Sequence, residues 1–243
     1  MTSSQPRLTR AAIVDAAIDI ADADGFAAVT MRAIADRLGV GAMSLYRHVA
    51  DKDALLTAMT EAVGARFPYP HEMPGAPVPT DHRDAAAVVG HRHWRECVRI
   101  ATDIDWTLYQ RHPWVVLAYS SPRHSMGAAS LGCLDWMMAA FAQLDVTPVR
   151  AAEMTVTLWS FVQGVALTSV AGELLRSTAD AALDGDLVAV LDARETTAAE
   201  LAAFPRVATL RGLGHDNGIT DLRRRLDDGV ELLCDGFEAR AGR

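Results

Sequence analysis

TMRAIADRLGVGAMSLYRHVADK, residues 30–52, contains two short apolar patterns that meet at a glycine. Met31–Leu38 places Ile34, Ala35 and Leu38 on one stripe at helical spacing. Gly39 follows, where a helix C-terminus favours a residue that accepts positive φ. Val40 is expected to plug back into a small core, and a second helix is expected from about Gly41 to Val49, burying Leu45 and Val49 four residues apart. Ala35 is small enough for the two helices to cross closely. The pattern predicts a helix-turn-helix, whose second helix enters the DNA major groove. Upstream, Thr9 can cap a helix from Arg10 to about Asp24 with Ile13, Ala16, Ala17 and Ile20 inward. Downstream, Asp51 can cap a fourth helix, to about Arg66, that buries Ala54, Leu55 and Met59.

The charge balance locates this activity within the chain. The 243 residues are half hydrophobic and 22% charged, as expected of a folded globular protein. The net charge of −8 is adverse to DNA, so its distribution matters more than its sum. Residues 1–66 hold seven basic and eight acidic side chains, and residues 67–243 hold sixteen and twenty-three. Within 30–52, Arg32, Arg37, Arg47 and Lys52 face only Asp36 and Asp51. Asp15, Asp19 and Asp22 share one face of the first helix, expected to turn away from DNA. Cys97, Cys133 and Cys234 show neither a disulfide framework nor metal-ligand spacing, and are expected to be reduced, mostly buried thiols. The start, MTSSQPRLTR, has no apolar core, so a cytoplasmic location is expected.

Beyond residue 66 the chain reads as all-α. Residues 1–8 form a polar arm, and residues 67–82 hold five of the ten prolines and read as a linker or long loop. Helices are then expected from Arg83 to about Gln110, over 113–120, from about Ser125 to Gln143, and from Pro148 to about Arg176. Shorter ones are expected near Ala181–Arg194 and Thr197–Ala203, with RGLGHDNG (211–218) as a loop, and a last helix from Thr220 to about Arg240. Nineteen uncharged residues separate Glu153 from Glu173, long enough to span a bilayer. Six Ser, Thr and Gln residues interrupt them and no basic cluster flanks them, so a buried core helix is expected and no membrane partner. In the last helix Ile219, Leu222, Leu226, Val230, Leu233 and Phe237 form a seam suited to a partner helix. Paired with the 149–175 helix, it would make a four-helix interface in a homodimer.

The chain resembles the tetracycline-repressor (TetR) family of transcriptional regulators. The resemblance rests on Ala16-Ala17, Gly25, Thr30-Met31-Arg32, Ile34-Ala35, Leu38-Gly39-Val40, Leu45-Tyr46-Arg47-His48-Val49 and Lys52-Asp53-Ala54-Leu55-Leu56, and covers residues 9 to about 66 closely. It implies a three-helix DNA-binding domain with its connecting helix over 1–66, a linker over 67–82, and a larger helical domain over 83–243 that binds an effector and dimerises. It also implies that Thr30, Arg32, Ser44, Tyr46, His48 and Lys52 approach DNA, while Gly41 to Met43, which vary in the family, help select the operator.

The side chains themselves support these assignments. Gly41, Ala42, Met43, Ser44, Tyr46, Arg47 and His48 are expected on the outer surface of the recognition helix. Arg47 can bond guanine in bidentate fashion, Ser44 can reach a base edge or phosphate, and Ala42 and Met43 can touch a thymine methyl. Tyr46, His48 and Lys52, the only lysine beside 22 arginines, have the reach of phosphate clamps. Thr30 can cap the helix whose N-terminus faces phosphate, and Arg32 in its first turn can reach a base.

The acidic second half repels DNA and needs another task. An apolar cavity ringed by Trp106, Trp114, Trp136 and Trp159, with His112 or Gln163 as polar anchors, would hold a small molecule. Tetracycline itself is disfavoured: the resemblance implies histidines near Pro68 and Tyr119 for its magnesium chelate, and none stands there. His91 and His93 point to different helix faces, and no HExxH, GxSxG, GxGxxG or P-loop occurs, so neither an enzyme, a metal nor a cofactor is expected. The expectation is a dimeric regulator of double-stranded operator DNA, a repressor released by a small hydrophobic or drug-like ligand. Two alternatives stand: a regulator whose second domain only dimerises or binds a protein partner, and a ligand-binding protein that has lost its operator.

Overall fold

The computed structural model describes residues 8–70, 92–175, 203–210 and 218–241, which are helical with no strand among them. The helices expected near 181–194 and 197–203, the arm before Leu8, most of the proline-rich stretch and the 211–217 loop lie outside the described residues, apart from a turn at Ala203. The chain divides into two compact units: one built from Met1–Met73 and Asp103–Trp136, the other from Pro74–Thr102 and Met137–Arg243.

In the first unit α1 (Arg10–Asp24) begins where the Thr9 hydroxyl accepts the Ala12 amide at 3.1 Å, and ends at Gly25, φ +78°. A 3-10 turn (Phe26–Ala28) leads to α2 (Met31–Leu38), capped by the Thr30 hydroxyl on the Ala33 amide at 3.1 Å. Gly39 adopts φ +67°, and the Val40 amide then bonds back to the Ala35 carbonyl at 3.0 Å. Val40 itself is only part-buried, so the plug is partial. Ile13, Ala17, Ile34, Leu45, Leu55 and Met59 form the head's core, each no more than 2% exposed. Each large one contributes about 1.5–3 kcal/mol by leaving water.

The recognition segment differs from expectation. Its helix, α3, spans only Ala42–Leu45, and Tyr46–His48 continue as a turn. Gly41 brings no capping side chain, and the bonds at both ends, Ser44 to Gly41 and His48 to Leu45, tighten to i→i+3. Leu45 and Val49 are nevertheless buried as the spacing requires. After α4 (Lys52–Gly64), capped by Asp51, the unit is completed by the second half of α5 (Trp94–Arg111), α6 (Trp114–Ala118), α7 (Pro122–Ser125) and the first half of α8 (Ala128–Ala142). One helix was expected over 125–143, yet it starts at 128. The Glu61 carboxylate of α4 accepts the Ala129 amide at 3.1 Å and closes on Gly127, where any Cβ would collide with it.

The second unit is organised by α9 (Pro148–Leu175) packed along α11 (Leu222–Ala241), and the short α10 (Pro205–Ala208) lies between them in the chain. Half of the expected seam of α11 is satisfied within its own chain, while Ile219, Leu222 and Leu233 stay half-buried. Leu226, Val230 and Phe237 are at most 8% exposed, Phe237 meets Phe141 edge-on at 5.4 Å, and Phe161 of α9 approaches so near Gly229 that a Cβ would strike its ring. The α9 sequence supplies the matching apolar face. A different apolar set is left in solvent: Leu232 at 73%, Val149 at 71% and Val156 at 50% exposure.

Candidate nucleic-acid interface and the links behind it

Local sequence places the side chains expected to face DNA. With Leu45 and Val49 turned inward, Gly41, Met43, Tyr46, Arg47 and His48 are exposed, while Ala42 and Ser44 are half-buried. Thr30 stands at the start of α2, its hydroxyl engaged as the cap. Arg32 is almost wholly exposed and only loosely paired with Asp36, at 3.9 Å. The Lys52 ammonium lies over the Phe26 ring, 5.0 Å from its centroid, which steadies the long side chain at an exposed site.

The acidic face of α1 is neutralised residue by residue. Asp15 binds Arg66 at 2.5 Å and Asp19 binds Arg37 at 3.1 Å, so these two arginines are engaged away from DNA. Arg47 has no ion-pair partner among the described residues, and its charge is left for an external anion. The arrangement offers a small, cationic, hydrogen-bonding surface on a rigid apolar base.

Asp22, the third acid of α1, has a different role. His112 Nδ1 lies 2.9 Å from its carboxylate and Trp114 Nε1 donates to it at 2.8 Å. His112 is 5% and Trp114 2% exposed, and Trp114 also stacks on Phe26 at 6.1 Å. His112 Nδ1 and Trp114 Nε1, on two expected ligand residues, are thus engaged with α1. A second link runs from α4, where the Thr60 hydroxyl donates to the His124 carbonyl at 2.6 Å. Of the other expected ligand residues, Trp106 is half-buried and Trp136 is buried against Tyr69 at 5.3 Å, both in the first unit. Trp159 and Gln163 are half-buried on α9 in the second. The six thus divide between the two units, four in the first and two in the second.

Asp105 of α5 was missed in the sequence. Burial pushes its carboxyl up to about 7, partly offset by the Tyr69 hydroxyl donating to it at 2.8 Å. The available signal was its position, four residues after Ala101 and three before Leu108 on an otherwise apolar stripe. Burial also pushes the Cys97, Cys133 and Cys234 thiols up to about 11, so they remain protonated and poorly nucleophilic at neutral pH. All three are free.

Residues 13–59 match the model of the bacterial regulatory proteins of the tetR family. The HTH-type transcriptional repressor DrrR1 of Streptomyces coeruleorubidus is 30% identical over 162 residues, 67% of this chain and 54% of that protein, so the match spans about half its length. An HTH-type transcriptional regulator of Saccharopolyspora erythraea is 30% identical over 246 residues, covering 98% of this chain and 88% of the relative. Among solved structures, apo ActR from Streptomyces coelicolor superposes with a TM-score of 0.70 at 24% identity over 99% of both chains. ActR in complex with actinorhodin gives 0.70 at 24% identity, covering 98% of this chain and all of that one. With a helix-turn-helix that matches the family model and a relative aligned over nearly its whole length, the chain belongs to the tetR family of bacterial regulatory proteins.

Proposed function

We propose that the protein is a homodimeric repressor that leaves its operator when a small hydrophobic or drug-like molecule binds behind the DNA-binding head. It acts in the cytoplasm, with no catalytic step, metal or membrane partner. Arg47, Ser44, Ala42 and Met43 read base edges, with Gly41 giving close approach; Thr30, Tyr46, His48 and Lys52 hold phosphate, and Arg32 reaches a neighbouring base. The exposed apolar residues of α9 and α11 supply the dimer face.

The observation that carries the mechanism is the Asp22 link. The carboxylate on α1 is held by His112 and Trp114 within one compact unit, so a displacement of α6 pulls on the head directly. Two recognition segments must stand about 34–36 Å apart to meet successive major grooves, and a ligand that shifts α6 in each subunit spoils that spacing. Coupling of about 1–3 kcal/mol per site is typical, enough over two sites for more than tenfold release. ActR, which shares the fold, has been seen with actinorhodin, and this supports a small-molecule effector here.

The test is reciprocal. Footprinting on the intergenic DNA beside its own gene locates the operator, and compounds are then screened for release. The dissociation constant of a releasing compound must rise in the presence of saturating operator by the factor by which the compound weakens DNA binding. A constant unchanged by operator would exclude the mechanism, and binding of DNA without release by any compound would favour a second unit that only dimerises or docks a protein.

A further inference from the structure

A desolvated carboxylate without a basic partner is costly, and the cost is relieved either by a proton or by a cation from outside the chain. Asp105 is such a group. Its hydrogen bond among the described residues comes from the Tyr69 hydroxyl at 2.8 Å, and no Lys, Arg or His pairs with it. The groups around it bear protons or negative charge. Tyr109 stands one turn further along α5, Tyr119 ends α6 with its hydroxyl 3.3 Å from the Thr60 carbonyl, and Cys133 of α8 senses the Asp105 charge. Tyr109 and Tyr119 also feel that charge, and burial holds both phenols above their ordinary range. Tyr109 is only 6% exposed, and its hydroxyl, which keeps some accessible surface, makes no hydrogen bond among the described residues. Asp105 itself keeps some accessible surface despite its desolvation. The walls are aromatic: Tyr69 meets Trp136 edge-on at 5.3 Å and Tyr109 meets Tyr119 at 6.4 Å.

We propose that Asp105, Tyr109 and the surrounding aromatic rings form the polar end of the effector site, and that the effector is an organic cation on an aromatic frame. A cation fits on three counts. It supplies the charge that Asp105 lacks, its N–H groups can bond the carboxylate and the Tyr109 hydroxyl, and its positive face can lie on Tyr119 or Trp136. An anion would meet the Asp105 charge with no cationic side chain among the described residues paired to offset it. This inference rests on the ligand-released reading above, but concerns the chemistry of the ligand and not its effect on DNA.

The test uses two dyes with the same xanthene frame, the cation rhodamine 6G and the anion fluorescein, titrated into the full chain by fluorescence anisotropy. Rhodamine 6G should bind at least about tenfold tighter than fluorescein, and Asp105→Asn should weaken it on the order of 30-fold while cooperative unfolding and the intergenic DNA shift persist. Tyr109→Phe should weaken it less. Equal affinity for the two dyes, absence of rhodamine 6G binding, or full retention by Asp105→Asn would overturn the proposal. The dye comparison needs no variant and decides the charge preference even if Asp105→Asn fails to fold. Rhodamine 6G bound through Asp105 without effect on the DNA shift would leave this site standing and count against the release mechanism. DNA release by compounds indifferent to Asp105→Asn would do the reverse.

Discussion

The surface of α3 and the outer face of the α9–α11 pair are both exposed, but they expose opposite chemistry. Around α3 the solvent meets Tyr46, Arg47 and His48, side chains that hydrate well and exchange water for phosphate and base edges at little cost. On α9 and α11 it meets Val149, Val156 and Leu232, whose exposure is a standing penalty that another protein surface relieves. The first surface therefore suits a charged, wet partner and the second an apolar one. The same sequence thus separates a polar surface, proposed to read DNA, from an apolar one, proposed for assembly, by what it leaves uncovered.

Breaking the assembly surface should have the largest effect. Leu232→Glu puts a charge twice into a two-fold interface and should weaken dimerisation by about 3–5 kcal/mol, read as monomer by sedimentation at micromolar concentration. A dimer of unchanged affinity would remove the α9–α11 face from the assembly. Next comes the link behind the reading surface. Asp22→Ala leaves two buried donors, on His112 and Trp114, without an acceptor, and should lower stability by about 2–4 kcal/mol in thermal or urea unfolding. Urea unfolding followed by both head and whole-chain probes would show whether the loss stays in the first unit.

Asp105 sharpens the contrast by pH. Its folded-state value, about 7, lies above the ordinary 3.8, so the folded state holds the proton more tightly than the unfolded one. Its contribution is complete below about pH 4 and lost as pH rises through about 7. Asp105→Asn should therefore stabilise the protein at pH 8 by about 2 kcal/mol and change little at pH 4, measured by unfolding across that range. A gain independent of pH would mean that the carboxyl does not titrate there.

The reading surface should yield to smaller changes. Arg47→Ala should cost about 1–3 kcal/mol in operator affinity and relax preference at one base pair, read by gel shifts on single-base operator variants. Lys52→Ala should weaken binding to all sequences alike and flatten the salt dependence by about one unit of slope. An unchanged slope would make Lys52 a side chain that only packs on Phe26.

Where one turn of chain determines a feature, the sequence was enough. Thr9, Thr30 and Asp51 cap their helices because a hydroxyl or carboxylate lies three residues from an orphan amide. Gly39 stands at the helix end because the left-handed conformation needed there costs glycine least, and Leu45 and Val49 are buried because four residues is about one helical turn. These local rules sufficed for the all-α class and the helix-turn-helix. The tertiary structure decided what depends on residues far apart in the chain. The start of α8 is set by Glu61, some seventy residues upstream. The α11 seam was legible as apolar, but only the opposing face of α9 determined that Leu226, Val230 and Phe237 are covered within the chain and Leu232 stays outside. His112 and Trp114 read equally well as pocket or strut until Asp22, some ninety residues away, took their donors. The periodicity of a helix determines which face is apolar, whereas the identity of the surface that covers it depends on the packing of the whole chain.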